Sequence, residues 1–424
     1  MDYIRRVFDD ELDELMPQTP AIAIDGPKFV GKTTTALQRA HNSISLDDPA
    51  VQQAAAEAPH AMLRGKKPLL IDEWQKAPPI WDAVRRAVDA HHGAGGQFLL
   101  TGSANPVPGT TAHSGAGRIV RMRMRPMALS ERGLGEPTVS LRELLYHAPA
   151  AIDGSSGVNF EQYVTEIIAS GLPDFRGLNR RNLVLQLDSY LKNLVERDIQ
   201  ELGQTVRRRT LLLDWLRAYA SASATTASFK TILERATPGE PDKPAHETVT
   251  RYRELLRQIW ILDSIDAWNP RTADLGRLST GPKHHLADPA FAARLLDLTA
   301  AKLMRGDTPR ITPPYGTIAG NLFESLAALC TRVYAQAAEA DVYHLRTRNG
   351  DHEADLIVEG YDGTVVAIEV KLSGRVSRED VKHLHWLKTK LGNRLTDTII
   401  ITTGPAAYRR DDGIGVVPLA LFGP

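Results

Sequence analysis

Three groups of residues in this chain have the types and spacing for chemistry on phosphates. The first, Gly26 to Thr33, reads G-x-x-x-x-G-K-T. Gly26 and Gly31 permit the backbone turns that aim successive N–H groups inward, and a helix beginning after them adds the positive end of its dipole. A polyphosphate fits such a cradle, so Gly26, Pro27, Lys28, Phe29, Val30, Gly31, Lys32, Thr33 and Thr34 are expected to wrap ATP. Lys32 would neutralise the β- and γ-phosphates, and the Thr33 hydroxyl would ligate Mg²⁺. An apolar strand before the loop and a helix after it disfavour an ordinary surface loop.

The second group follows in order. Lys67-Pro-Leu-Leu-Ile-Asp-Glu-Trp-Gln75 is an apolar strand ending in adjacent acids. Asp72 is expected to hold the metal through water, and Glu73 to polarise the attacking water as base. Gln97 to Asn105 is a further strand, whose polar end would place Ser103 or Asn105 beside the γ-phosphate; a plain turn explains the same residues. Gly117 to Pro126 alternates with period two, Arg121, Arg123 and Arg125 on one face and Met122 and Met124 on the other, which reads as a half-exposed strand. Arg118 stands outside that alternation. It is a candidate arginine finger, acting within the chain or supplied to another subunit.

The third group lies in the last hundred residues. Val366, Ile368 and Val370 should face one way on a strand, with Glu369 and Lys371 facing the other. Asp355 on the preceding hairpin strand can meet them, and Glu324 can reach in from a helix. Two acids and a lysine converging there, with a third acid beside them, would bind Mg²⁺ and activate water against a phosphodiester. The same four residues would equally make a structural ion-pair cluster.

The elements that must position these groups are legible as alternating apolar periods. A lead-in helix over 2–16 precedes strand, phosphate loop and helix in βαβ order. The pattern weakens near Asp153-Gly-Ser-Ser-Gly157, a linker signature. Helices are expected over 160–200, broken at Gly171-Leu-Pro173. Helix, turn, helix and a hairpin over 210–270 is winged-helix order, with Thr248, Thr250, Arg251, Arg253 and Arg257 on the second helix, where they could meet DNA phosphates. Arg207-Arg-Arg209 reads as a solvated helix start. The C-terminal order is αβββαβ.

Lys+Arg and Asp+Glu are both 51, so no global field draws the chain to nucleic acid or an anionic membrane. The 424 residues imply several domains, expected at 1–150, 151–310 and 311–424. The lone cysteine, Cys330, excludes an intramolecular disulfide framework and sits among apolar residues, a buried hydrophobe rather than a nucleophile. No apolar signal region and no membrane-length apolar run is visible, which points to a cytoplasmic protein. The adjacent pairs His91-His92 and His284-His285 do not assemble a zinc site.

Gly26–Thr34, Leu69–Gln75, Leu100–Ser103 and Gly117-Arg118 followed by Arg125-Pro-Met-Ala-Leu-Ser-Glu131 stand in the order of the prokaryotic AAA-type ATPases that carry a DUF4143 C-terminal region, and the chain resembles that family. It departs at Lys28 and Phe29, where the family often has an arginine and a small residue, and at Met127 and Ala128. The resemblance implies an α/β fold: a P-loop NTPase (AAA/RecA-like) parallel sheet, then a helical and winged-helix region, then an αβββαβ domain. That last order resembles the PD-(D/E)XK nuclease fold, with Asp355 as its aspartate and Ile368-Glu-Val-Lys371 as its E-x-K. By that resemblance Asp355 and Glu369 would ligate the metal, Lys371 would orient water or stabilise charge, and Glu324 would complete the site. The expected function is an ATPase coupling its nucleotide state to DNA binding or cleavage, with assembly into a homo-oligomer as in AAA relatives. The alternative is a nucleotide-gated switch or binding module for DNA or a partner protein, with a non-catalytic C-terminal domain.

Overall fold

The computed structural model describes residues 3–90, 92–104, 115–147, 149–201, 208–238, 246–270, 275, 278–305 and 317–424. The expectations placed on His91, Asn105 and Arg207 lie outside the described residues.

A helix, α1 (Val7–Leu15), leads into β1 (Ala21–Asp25), α2 (Lys32–Leu37), β2 (Asn42–Ser45), α3 (Pro49–Glu57), α4 (Pro59–Met62), β3 (Leu69–Asp72), α5 (Pro79–Ala90), β4 (Phe98–Gly102) and β5 (Ile119–Arg123). The five strands form one parallel sheet in the order β2-β3-β4-β1-β5. The runs Ala21–Asp25 and Phe98–Gly102 are apolar at nearly every position because both of their faces are covered. Alternate residues feed two cores. Ala21, Ala23, Ile71 and Leu100 pack with Ile80, Val84 and Val88 of α5, while Ile22, Ile24, Leu70 and Leu99 join the core that continues into the rest of the chain.

The middle of the chain runs β6 (Val139–Ser140), α6 (Leu141–Tyr146), α7 (Phe160–Ile168), α8 (Arg180–Asn193), a π-helical turn over Leu194–Asp198, α9 (Ile199–Glu201), α10 (Arg209–Ser221), α11 (Phe229–Ala236) and α12 (His246–Gln258). Leu262 then pairs antiparallel with Leu286, and Ile265 with Lys283, making a hairpin before α13 (Pro289–Leu295) and α14 (Ala300–Arg305).

The last segment runs α15 (Ile318–Ala337), β7 (Ala340–Arg346), β8 (Glu353–Gly360), β9 (Val365–Val370), α16 (Lys382–Leu391), β10 (Leu395–Thr402), β11 (Tyr408–Arg409), β12 (Gly415–Pro418) and β13 (Phe422–Gly423). The sheet is mixed, in the order β11-β12-β10-β9-β8-β7, so the expected αβββαβ order is present and extended by two strands at one edge. Period two decides its faces: Val366, Ile368 and Val370 pack in the core that holds α15, and Val365 and Ala367 in the one that holds Leu384 and Leu387 of α16. The C-terminal β13 returns to pair with β6, parallel, which ties the end of the chain to the segment after the first sheet.

Candidate functional site

The phosphate loop joins β1 to α2 at the carboxyl edge of the parallel sheet. Gly26 has φ +154°, and a Cβ there would come within 2.2 Å of the Met124 carbonyl oxygen, so only glycine fits. Gly31 has φ +100° and Phe29 φ 64°. Lys32 is buried, and its ammonium donates to the carbonyls of Gly26 (2.9 Å) and Pro27 (2.8 Å), folding the lysine back over the loop. Burial pushes its pKa down to about 8, against the opposing pull of Glu73, Asp25 and Asp72. The remaining expected loop residues divide in two. The Val30 carbonyl accepts from Arg6 (3.1 Å) and Thr34 is exposed. Lys28 donates to Asp198 in the π-helical turn (2.7 Å), and Phe29 lies against Phe175 (5.8 Å) and Tyr190 (6.0 Å), so the loop touches the helical region. Sequence reasoning assigned these two side chains only to nucleotide, missing that contact.

Strand register sets the acids. Asp25 of β1 is level with Gly102 of β4, and Thr101 with Asp72 of β3, so the tips of three neighbouring strands line up beside the loop. The Thr33 hydroxyl donates to Asp72 Oδ1 at 2.7 Å, and Thr101 donates to the same oxygen. Glu73 sits in the left-handed region at φ 54°, which turns it off the strand. Its Oε2 accepts from Ser103 (2.7 Å) and from Gln75 Nε2 (2.5 Å). Asp72, Glu73, Ser103, Lys32 and Thr33 are thus brought together. Mg·ATP fits this arrangement: the Gly26 cradle excludes a side chain, Lys32 rests only on carbonyls, and the hydroxyl–carboxylate pair Thr33–Asp72 has the donor chemistry of a hard cation site.

Arg118 is not brought there. It precedes β5, whose Ile119 is level with Ala21, so it stands at the opposite edge of the sheet from the loop. About five residues of strand, roughly 16 Å, separate the two edges. Its guanidinium bonds exposed Asp89 (2.9 Å), and an internal finger role is therefore corrected by geometry. β5 is half-exposed as its alternation predicts, with Met122 and Met124 buried and Val120 and Arg121 exposed, but its arginines find carboxylate partners. Arg123 (2.8 Å), Arg125 (3.0 Å) and Arg332 (2.9 Å) all pair with Asp263, which is buried on the hairpin. Burial alone would raise the Asp263 carboxyl, but the three guanidinium groups outweigh it and hold it far below the usual range. Arg121 bonds Asp25 (2.7 Å).

The C-terminal constellation is assembled too, with an addition. Lys371 Nζ donates to Glu369 Oε1 (2.8 Å), and the Val370 amide donates to Asp355 Oδ2 (2.9 Å). Lys283, from the second strand of the hairpin, enters the cluster. Its ammonium, on a side chain only 1% exposed, donates to Glu324 Oε1 (2.7 Å) and Asp355 Oδ1 (2.9 Å), with Glu353 at 3.7 Å. Burial would lower Lys283, but Asp355 and Glu324 outweigh it and hold it protonated. Three carboxylates share two ammonium groups, so burial and the Asp355 charge push Glu324 and Glu369 up, while Lys283 and Lys371 overcome burial to keep Asp355 low. Among the described residues no group of three or more His, Cys, Asp or Glu side chains is placed to hold a metal ion. A divalent ion between Glu324 and Asp355 does not fit with Lys283 seated. Sequence reasoning missed Lys283: Gly281-Pro-Lys-His-His285 carries no motif, and no local signal marks it.

Arg251 and Arg257 of α12 are exposed, whereas Arg253 lies over the Phe229 ring at 4.5 Å. Cys330 is buried and accepts from the Leu129 amide, and burial pushes its thiol up to about 11. No helix among the described residues is long and apolar enough to cross a membrane.

Residues 18–132 match the family model described as an AAA domain, residues 160–302 that of DUF8612, and residues 319–422 that of DUF4143, the last two being domains of unknown function. Uncharacterized proteins of Mycobacterium bovis and Mycobacterium tuberculosis are each 25% identical over 376 residues, spanning 87% of this chain and 74% of theirs. A Walker-type ATPase of Pyrococcus abyssi aligns in structure at 14% identity over 69% of this chain and 96% of that one, TM-score 0.38. The ORC2 protein of Aeropyrum pernix aligns at 12% identity over 77% and 97%, TM-score 0.33. The matched segments follow one another in the order that the sequence motifs predict, an AAA domain first and a DUF4143 region last, consistent with a prokaryotic AAA-type ATPase.

Proposed function

We propose that the chain binds and hydrolyses Mg·ATP at the phosphate loop and relays its nucleotide state to the C-terminal region. The observation that carries this reading is the 2.7 Å pair of Thr33 and Asp72 beside a Glu73 held ready by Ser103 and Gln75. Thr33 and Asp72 would hold Mg²⁺, which neutralises phosphate charge and orients the γ-phosphate. Lys32 would leave the Gly26 and Pro27 carbonyls for the phosphates. Glu73 would orient water and take its proton, Ser103 would sense the γ-phosphate, and a neighbouring copy in a homo-oligomer would supply the arginine.

The relay would pass through the hairpin. Asp263 on its first strand is held by Arg123 at the end of β5 and by Arg125 just beyond it, and Lys283 on its second is held by the C-terminal acids. We read α10 to α12 with this hairpin as a winged helix, with the exposed Arg257 on its second long helix placed to meet DNA phosphates. Of the two expected uses of the C-terminal region, the seated Lys283 favours a nucleotide-gated switch or binding module for DNA or a partner protein over cleavage by Glu324, Asp355, Glu369 and Lys371. Steady-state ATP turnover by the purified chain and by Glu73→Gln tests the hydrolytic part. Turnover by the wild type, lost in the variant with nucleotide still bound, is the expected result; equal turnover by both would remove Glu73 from its role.

A further inference from the structure

Two C-terminal carboxylates, Glu324 and Asp355, converge on one cation, and that cation is a lysine from another part of the chain. Lys283 belongs to the segment matched by DUF8612, and Glu324, Asp355 and Glu369 to the segment matched by DUF4143. The contact therefore joins two modules. Its geometry is that of a cation bound by two carboxylate oxygens, at 2.7 and 2.9 Å, with a third at 3.7 Å. The hairpin backbone fixes it: Ile265 and Lys283 exchange both of their amide–carbonyl bonds, at 2.9 and 2.8 Å. A second observation points to an underfilled cation site. Glu369 is buried and its Oε2 has no hydrogen-bond partner, although Lys371 serves its other oxygen.

We propose that Lys283 is the resident cation of this cluster, its ammonium standing where a divalent ion would sit between Glu324 and Asp355, so that the chain excludes divalent metal from the site while the hairpin is docked. An ammonium supplies one positive charge and three donors; the Lys283 ammonium bonds two carboxylate oxygens, and Glu369 is not among its partners. A divalent ion in the same place would neutralise two charges and bind oxygen directly. The lysine thereby also fastens the hairpin to the C-terminal sheet, since two buried acids would lose their directly bonded cation if it withdrew.

The test is Mn²⁺ binding to the nucleotide-free full chain, followed by the electron paramagnetic resonance of free Mn²⁺, so that the ATPase reading can fail or hold independently. Wild type and Asp355→Asn should show the same weak binding. Lys283→Ala should gain one site at least about tenfold tighter, lost again in Lys283→Ala with Asp355→Asn, and Mn²⁺ should raise the melting temperature of Lys283→Ala but not of the wild type. Lys283→Met, which fills the space without charge, should gain less than the alanine variant. Asp355-dependent Mn²⁺ binding by the wild type overturns the proposal, as does a folded Lys283→Ala that gains no site. If Lys283→Ala is recovered only from buffer containing Mn²⁺, the proposal stands; if it is recovered from neither buffer, the comparison of wild type with Asp355→Asn decides it.

Discussion

The molecule holds two constellations of acids and lysine, one at each end, and they differ in what holds the acids. At the phosphate loop, Asp72 and Glu73 are served by hydroxyl and amide donors from Thr33, Thr101, Ser103 and Gln75, while Lys32 rests on backbone carbonyls. At the C-terminal cluster, Asp355 and Glu324 are served by the ammonium of Lys283, and Glu369 by that of Lys371. A neutral donor leaves a carboxylate its full charge, ready for a metal, and a carbonyl is a partner that a lysine readily exchanges for phosphate. An ammonium partner spends that charge. The same residue types are therefore poised at one end and paired with ammonium groups at the other.

The comparison can be broken or sharpened by substitution. The largest effect is expected at Glu73: Glu73→Gln should lower ATP turnover by about 10²–10⁴ while leaving nucleotide affinity nearly unchanged, as read by steady-state kinetics beside equilibrium binding. Next comes Asp263, where the two ends meet. Asp263→Asn strands three guanidinium groups in a buried place, and should cost about 3–5 kcal/mol in denaturant unfolding; a loss below about 1 kcal/mol would show that the hairpin does not bind the ATPase sheet to the rest through this residue.

A smaller effect follows from Lys32. Its free-state pKa is pushed down to about 8, and bound phosphates raise it, so ATP binding takes up a proton once the pH passes that value. Affinity should be flat below pH 8 and weaken by up to about tenfold per pH unit above it. Lys32→Met should bind weakly with no such slope, measured with a fluorescent ATP analogue. The smallest effect is expected at Arg118. Arg118→Ala in dilute protein should change turnover by less than about twofold, because its exposed pair with Asp89 contributes little. A loss of about 10³ would instead place this arginine in a neighbouring copy's site.

What could be read from sequence was what local pattern dictates. The phosphate loop, the strand ending in Asp72-Glu73 and the C-terminal αβββαβ order each rest on short-range signals: glycines where φ is positive, apolar runs in covered strands, period two on β9. Val366, Ile368 and Val370 pack on the face that this period predicts. The tertiary partners were not legible. Arg123 and Arg125 look the same in sequence whether they meet water or the buried Asp263, roughly 140 residues away. Arg118 was a candidate because it follows a glycine, and only strand register shows it at the wrong edge. Lys283 lies in a stretch without periodicity, and its importance comes from the fold of a separate segment against it.

The central claim is that one end of the chain takes a divalent ion with its nucleotide and the other holds its own cation. Counting tightly bound Mn²⁺ per wild-type chain, with and without a slowly hydrolysed ATP analogue, tests it most directly. The account predicts one ion with the analogue, lost in Thr33→Ala, and none without it. An ion bound without nucleotide and lost in Asp355→Asn, or no ion with the analogue, would contradict it.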